Sequence, residues 1–488
     1  MKRTYKIYTQ IFVAIIILLT GFSSCEGDFL DTVPKTSINE AEAFSTPSKI
    51  LAQVNNLYSK MQNPNLYGGR FIVFNEQRGD EFGQNDGNAA TGSAVWNQNV
   101  ASTNEYINNV WASAYSAINA SNILISNLKN TTIINDSIAR LYMAEAKFIR
   151  ALSYLSLIQT YAKPFNLDKN ALGVPLRLIP ITSAGYNDLA RSSVEEIYDQ
   201  IILDLDEAEL ELPVSYPTSF LNISRAHKSS AIALKTRVYL NQSNYIKVKE
   251  EAAKLVPANS PYQYTSGSIT HNLDATVSNL FNGSYTGPES IFSIPFANSN
   301  TETPSSQYSL AFNYLGQPII FLAVAGIVSN PVFSTIEDAR SALVTTNAAK
   351  QKVLRKFSIT TAPFRDYVPV IRYAEVMLNY AEAAAQLNEL STAVNLLKAV
   401  RNRSHSSYLF PDDEINSQEK LIQTILSERR IEFLGEGLRL QDLQRNVRTL
   451  PSKKGSIGTA PEVPVTAKNY IWPIPSGELS TNRLCLPN

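Results

Sequence analysis

The sequence predicts a mainly α-helical protein in which hairpins of helices form the scaffold, interrupted by irregular loops and small β elements. Three observations carry this. Long stretches such as 105–128 and 136–161 repeat apolar residues three and four apart, the period of a helix with one buried face. Helix, short turn and helix of similar length then recur, the pattern of a tetratricopeptide-type solenoid, although the strict consensus of that repeat is absent. Two reaches, 62–101 and 257–351, break the periodicity with glycine, proline and large aromatic residues.

The chain opens on Lys2, Arg3 and Lys6, followed by an apolar run from Ile11 to Leu19. That run is too short to span a bilayer, and its order is that of a secretory signal. Phe22, Ser23 and Ser24 form a loose lipobox before Cys25, with Phe22 bulkier than usual there. Residues 1–24 therefore read as a lipoprotein signal peptide and Cys25 as the lipidation site. Residues 25–39, with Glu26, Asp28 and Pro34, read as an extended tether, and 40–488 as a single domain.

Within that domain, 40–256 is a helical scaffold interrupted by the loop 62–101. Phe44, Ile50, Val54, Leu57 and Met61 mark its first helix. Ile107, Val110, Trp111, Ala114 and Ile118 stripe the next, and Ile138, Leu141, Ala144, Phe148 and Leu155 the one after, their alanines allowing close packing. A helix capped at Ser192 or Ser193 closes at Pro213, and 223–256 reads as a hairpin broken around Asn241 to Asn244. The region 257–351 is irregular, with strand-like alternation at Ser290 to Phe296 and a buried helix expected at Ile319 to Val328. Residues 352–488 resume with helices and end in the proline-locked YIWPIPSGEL.

Formal charge is balanced, 43 positive against 43 negative, and 40 against 43 once the signal is removed. No basic block exists to replace phosphate counterions, which argues against nucleic acid as a partner. Three histidines, His227, His271 and His405, lie far apart, and with Cys485 as the one thiol besides Cys25 no zinc pattern can be drawn. No GxSxG elbow, phosphate loop or HExxH occurs, so neither catalysis nor a cofactor is expected. Only 18% of residues are charged while Asn, Ser and Thr abound, a surface suited to neutral, hydroxyl-rich ligands.

Glu428, Glu432 and Glu436 stand four apart among Arg429, Arg430 and Arg439. Such dense alternation reads as an ion-pair scaffold, and Arg372, Glu375 and Glu382 invite the same reading. The ligand is expected at the loop 62–101, where glycines alternate with large rings. Tyr67 and Trp96 are its expected stacking platforms, Arg70, Asp80 and Asn97 its hydrogen-bonding partners, and Tyr285, Tyr308 and Tyr314 residues that would lie across the same surface. Asp80, Glu81 and Asp86 fit no standard calcium loop, and no metal is expected.

A series of motifs in order carries a resemblance. DFLDTVP (Asp28–Pro34) follows Cys25. YMAEAKFIRALSYLSLIQTYAKP (Tyr142–Pro164) precedes GVPL (Gly173–Leu176), and Arg191–Pro213 and RAHKSSAIALKTRVYL (Arg225–Leu240) come next. Asp338 and Arg340, RYAEVMLNYAEA (Arg372–Ala383), ERRIEFLGEGLRLQDLQR (Glu428–Arg445) and WPIPSGEL (Trp472–Leu479) complete the series. With them the chain resembles the SusD/RagB family, nutrient-binding surface lipoproteins of Bacteroidota. The resemblance implies a SusD-like fold with a tetratricopeptide-like scaffold whose motifs are structural and whose loops bind ligand. It implies a lipid-anchored, surface-exposed place in the outer membrane. It also implies capture of oligosaccharide or polysaccharide for a SusC-like TonB-dependent transporter. Peptide is the alternative cargo, as in the RagB branch, and a lipid-anchored glycoside hydrolase a more distant one.

Overall fold

The structure, a computed structural model, describes residues 40–488 apart from 184, 186, 283–284 and 299–302. The signal, Cys25 and the tether lie outside the described residues. The described chain divides after residue 51 into two units, 40–51 and 52–488. In the first, one helical turn at Glu40–Ala43 precedes the start of α1 (Pro47–Met61), and Lys49 pairs with Glu42 at 3.1 Å. The second unit holds all remaining elements.

Its helices succeed one another as α2 (Arg70–Arg78), α3 (Glu105–Leu128), α4 (Asp136–Tyr161), α5 (Val194–Glu211), α6 (Lys228–Asn241) and α7 (Tyr245–Ala252). After the irregular region come α8 (Tyr373–Gln386), α9 (Leu390–Ser404), α10 (Gln418–Glu432) and α11 (Arg439–Arg445). From α3 to α9 each helix packs on the next, and α10 also lies on α8. Local chemistry sets the ends. Asn104 and Asn135 accept backbone N–H bonds at the starts of α3 and α4, and Ser193 with Glu196 forms a capping box on α5. Ala114 and Ala117 on α3 and Ala144 and Ala151 on α4 are buried, as close packing requires. Charged groups that packing covers are paired: Arg150 on α4 donates to both carboxylate oxygens of Asp204 on α5, at 2.6 and 2.8 Å.

The glutamate ladder is a buried frame. Glu428 and Glu432 lie on α10, whereas Glu436 stands beyond it in a turn where Gly435 and Gly437 take φ of 81° and 77°. Arg340 Nη1 reaches Glu428 at 2.6 Å and Glu432 at 3.0 Å, and Arg372 reaches Glu289 at 2.6 Å, Glu432 at 2.7 Å and Glu436 at 2.8 Å. Arg401, Arg403, Lys356 and Asp338 complete the network, every member of it buried or nearly so. It joins α8, α9 and α10 to the irregular region. Burial alone would raise the Glu432 carboxyl, but Arg403, Arg372 and Arg340 hold it well below the usual range.

Strands are short and pair two by two. Those that matter here are β1 (Phe82–Gln84), β2 (Ser290–Ile294), β3 (Ile320–Leu322), β4 (Val368–Arg372) and β5 (Lys453–Gly455). β1 pairs antiparallel with β3, and β4 with β2, the strand expected from the alternation at Ser290 to Phe296. Two expectations are corrected. Residues 62–101 are not one irregular loop, for all nine residues of α2 are buried and β1 follows it. The apolar run Ile319 to Val328 is not a helix but β3 and a 3-10 turn at Ile327–Ser329, because β1 offers an edge for it to pair with.

Candidate ligand-binding cleft

Strand β1 leads into Asn85 and Asp86, which with Thr91 line an open cleft of about 630 Å³. Gln307, Phe312, Gln317, Pro318 and Ile319 line it too, as do Asn347, Ala349, Gln351 and Ser456. Side-chain amides tie these distant segments together. Gln351 Nε2 donates to Asn85 Oδ1 at 2.6 Å and to Ser456 Oγ at 3.2 Å, while its Oε1 accepts from Asn347 Nδ2 at 3.0 Å. Asn85 Nδ2 donates to the Pro318 carbonyl at 2.7 Å. Asp86 Oδ1 accepts from the Asn88 N–H at 2.9 Å and the Thr91 hydroxyl at 2.8 Å. The side chains of Gln307 and Gln317 are exposed and have no hydrogen bond among the described residues.

The support beneath this cleft is tightly built. β1 lies between β3 and β5, and two glycines permit the approach. A Cβ on Gly83 would meet the Phe321 ring at 2.6 Å and the Lys454 carbonyl at 2.7 Å. One on Gly455 would lie 2.6 Å from Gln84 N and 2.9 Å from the Trp96 ring. Gln84 Nε2 holds Thr91 Oγ1 at 3.0 Å, and Gln77 donates to Gln84 Oε1 and to the Thr91 carbonyl, both at 2.8 Å. The segment entering the cleft is thereby fastened from below.

Against the expected site residues, the structure gives support where a contact surface was predicted. Trp96 is 0% exposed, its indole N–H donating to the Phe82 carbonyl at 2.9 Å, so its ring has no face to offer a ligand. Tyr314 is equally buried, stacked on Phe82 and bonded to the Gly435 carbonyl. Tyr67 is buried with its hydroxyl on Ser156, and Asp80 is held in two hydrogen bonds by Arg439 at 2.6 and 2.9 Å. Arg70 is buried among Phe74, Tyr106 and Tyr308, and its Nη2 donates to the Ala90 carbonyl at 2.7 Å. Asn97, Tyr308 and Tyr285 are half-buried, Tyr285 stacking on Tyr367 at 4.3 Å and donating to Asp366. Arg70 and Tyr308 are brought together; the eight do not converge on one surface. The lining amides were missed, although the density of Asn and Gln where periodicity breaks was a signal for them.

Two other clefts differ in kind. One of about 500 Å³ lies on α3, where several polar groups are already engaged: Asn119 exchanges two hydrogen bonds with the Ile181 backbone, Asn482 does so with Leu189, and Arg177 pairs with Glu478. In the other, of about 610 Å³, the Tyr408 ring is covered by Arg401 at 4.5 Å and flanked by His405 and Phe410. Among the described residues no group of three or more His, Cys, Asp or Glu is placed to hold a metal ion, and no helix is long and apolar enough to cross a membrane.

Comparison with known proteins addresses the whole chain. A family described as "SusD family" matches residues 350–486, and one described as "Starch-binding associating with outer membrane" matches 28–240. A SusD superfamily protein of Bacteroides fragilis is 31% identical, with a TM-score of 0.81 over 91% of this chain and 99% of that one. The chain belongs to the SusD/RagB family. SusD-like protein P38 of Formosa agariphila is 24% identical over 94% of each chain. A solved structure named "Laminarin binding SusD-like protein", 20% identical with a TM-score of 0.71 over 91% of this chain and 99% of that one, shares the fold. As a SusD-family member this protein has the family's general role, that of a cell-surface carbohydrate-binding protein working with a SusC-type transporter.

Proposed function

We propose that this SusD-like protein captures oligosaccharide in the amide-lined cleft and delivers it to a SusC-like TonB-dependent transporter, anchored to the outer membrane by lipid on Cys25. The cleft carries this reading. A carboxamide offers donor and acceptor together, which matches a sugar hydroxyl that is both, and Phe312 with Pro318 adds apolar surface for the face of a sugar ring. Gln351, Asn85 and Asn347 are held in place before ligand arrives, which reduces the ordering cost of binding. Tyr308, which adjoins the lining residue Gln307 and carries Arg70 beneath its ring, extends the proposed surface, and Trp96 supports it from below against Gly455. The name of the laminarin-binding relative agrees with a glycan cargo.

The test is calorimetric titration of a glycan panel that includes laminarin, against the wild type and Q351A and F312A variants. Loss of about 1 to 3 kcal/mol on truncating the ring, by analogy with base stacking, and of about 1 kcal/mol on losing the amide is the expected result. Unchanged affinity in both variants, at unchanged melting temperature, would move the site elsewhere.

A further inference from the structure

The charge around the cleft says more about its ligand than the fold does. Of the residues lining it, Asn85, Thr91, Gln307, Gln317, Asn347, Gln351 and Ser456 are polar and uncharged, and Phe312, Pro318, Ile319 and Ala349 are apolar. Among the described residues of the lining Asp86 is the single ionisable side chain, and it is exposed. Its Oδ1 is engaged by Asn88 and Thr91, so the carboxylate is fixed at the cleft by the same hydrogen bonds that shape the segment. A carboxylate or sulfate on a saccharide needs cationic donors to replace its lost hydration, and arginine is the residue that supplies them in paired geometry. Among the described residues no arginine or lysine lines this cleft. An acidic sugar would therefore surrender water for neutral amides and meet a like charge at Asp86.

Resting on the glycan reading above, we propose that the cleft selects uncharged saccharides, with Asp86 as the residue that excludes uronic and sulfated ones. Attraction to hydroxyls comes from the amides, whose donors and acceptors are indifferent to which neutral sugar presents them. Discrimination comes from the fixed carboxylate, the repulsive element that specificity generally requires.

The experiment is affinity electrophoresis and calorimetry at low salt with paired probes. Laminarin, amylopectin and galactomannan are the neutral set; polygalacturonate, alginate and dextran sulfate are the acidic set. The wild type is expected to bind a neutral member and to bind every acidic one at least tenfold more weakly. D86N keeps an oxygen to accept from Asn88 and Thr91 while losing the charge, and D86K reverses the charge. The ratio of acidic to neutral affinity is expected to rise in D86N and to rise by at least a further tenfold in D86K, the gain fading as salt is added. Wild-type binding of an acidic glycan as tight as any neutral one, abolished by Q351A, overturns the selectivity and leaves the glycan reading standing. Binding of no glycan of either set overturns both.

Discussion

Glu76 shows how much a single side chain can hold in reserve. It sits on α2 at 0% exposure, accepts the Gly437 N–H at 2.6 Å through Oε1, and has no partner for Oε2 among the described residues. Burial pushes its carboxyl up to about 8, outweighing the Gly437 hydrogen bond and Lys356. With the unfolded value near 4.5, the folded protein binds the extra proton between those limits, so stability falls as pH rises from about 4.5 to about 8. E76Q removes the proton and keeps an acceptor for Gly437. It is expected to match the wild type near pH 5 and to exceed it by a few kcal/mol at pH 8, read from urea midpoints. A variant equally stable or less stable at both pH values would show the carboxyl is ionised in place. The burial of this residue was not legible in RFIVFNEQR. Nothing in a run with two arginines and a glutamate announces that Tyr308, Tyr470 and Gly437, all remote in sequence, will cover it. Trp96 was misread for the same reason: a tryptophan among glycines looks exposed until Phe82 and Lys453 close around it.

Elements were more legible than residues. The stripes of α3 and α4, the capping box of α5 and the break between α6 and α7 follow from local rules of period and cap, and the chain obeys them. Strand pairing between β1 and β3 spans more than two hundred residues and leaves no local mark, which is why the runs 62–101 and 319–328 were read wrongly. Gly455 tests the ribbon these strands form. A methyl there would press on Gln84 N and O at 2.6 and 2.7 Å, backbone atoms that cannot swing aside. G455A is expected to cost about 1 to 3 kcal/mol by overpacking, and to weaken glycan binding by shifting Ser456 away from Asn85. A variant of wild-type stability with wild-type affinity would mean the ribbon yields freely.

Across the whole molecule, the buried ion network makes acid the expected enemy. Glu432, Glu436 and Asp442 are all held below their ordinary values, against the effect of burial, by adjoining arginines and, for Glu436, Lys356 as well, Asp442 at about 2. Their contribution is complete above the unfolded range near pH 4 to 4.5 and is lost as pH falls through their folded values. E432Q leaves Arg372 and Arg403 short of a charge, so a loss of about 3 to 5 kcal/mol at pH 7 is expected, with no catalytic activity to lose. The deficit relative to wild type should shrink toward pH 3, and a constant deficit in guanidinium titrations would assign the effect to packing instead. That these glutamates are frame was readable from their alternation with arginine; which arginines answer them was not, since Arg340, Arg372 and Arg403 come from elsewhere in the chain. At the same scale, C25S is expected to move the protein from the outer-membrane fraction to the soluble one, because stable anchoring needs more than one acyl chain. Retention of the variant in the membrane with unchanged mass would refute lipidation at that position.

The glycine-floored ribbon also implies an unequal freedom to vary. Where backbone meets backbone at Gly83 and Gly455, no other side chain fits, so that surface is closed to substitution. Gln307, Gln317 and Ala349 are exposed residues of the cleft lining, so exchanges there are expected to leave the framework intact. A library confined to those turns should yield folded proteins with new tastes, whereas one spread over the ribbon should yield mostly aggregates. Diversification in this protein is steered to a handful of positions by the places where a methyl group cannot go.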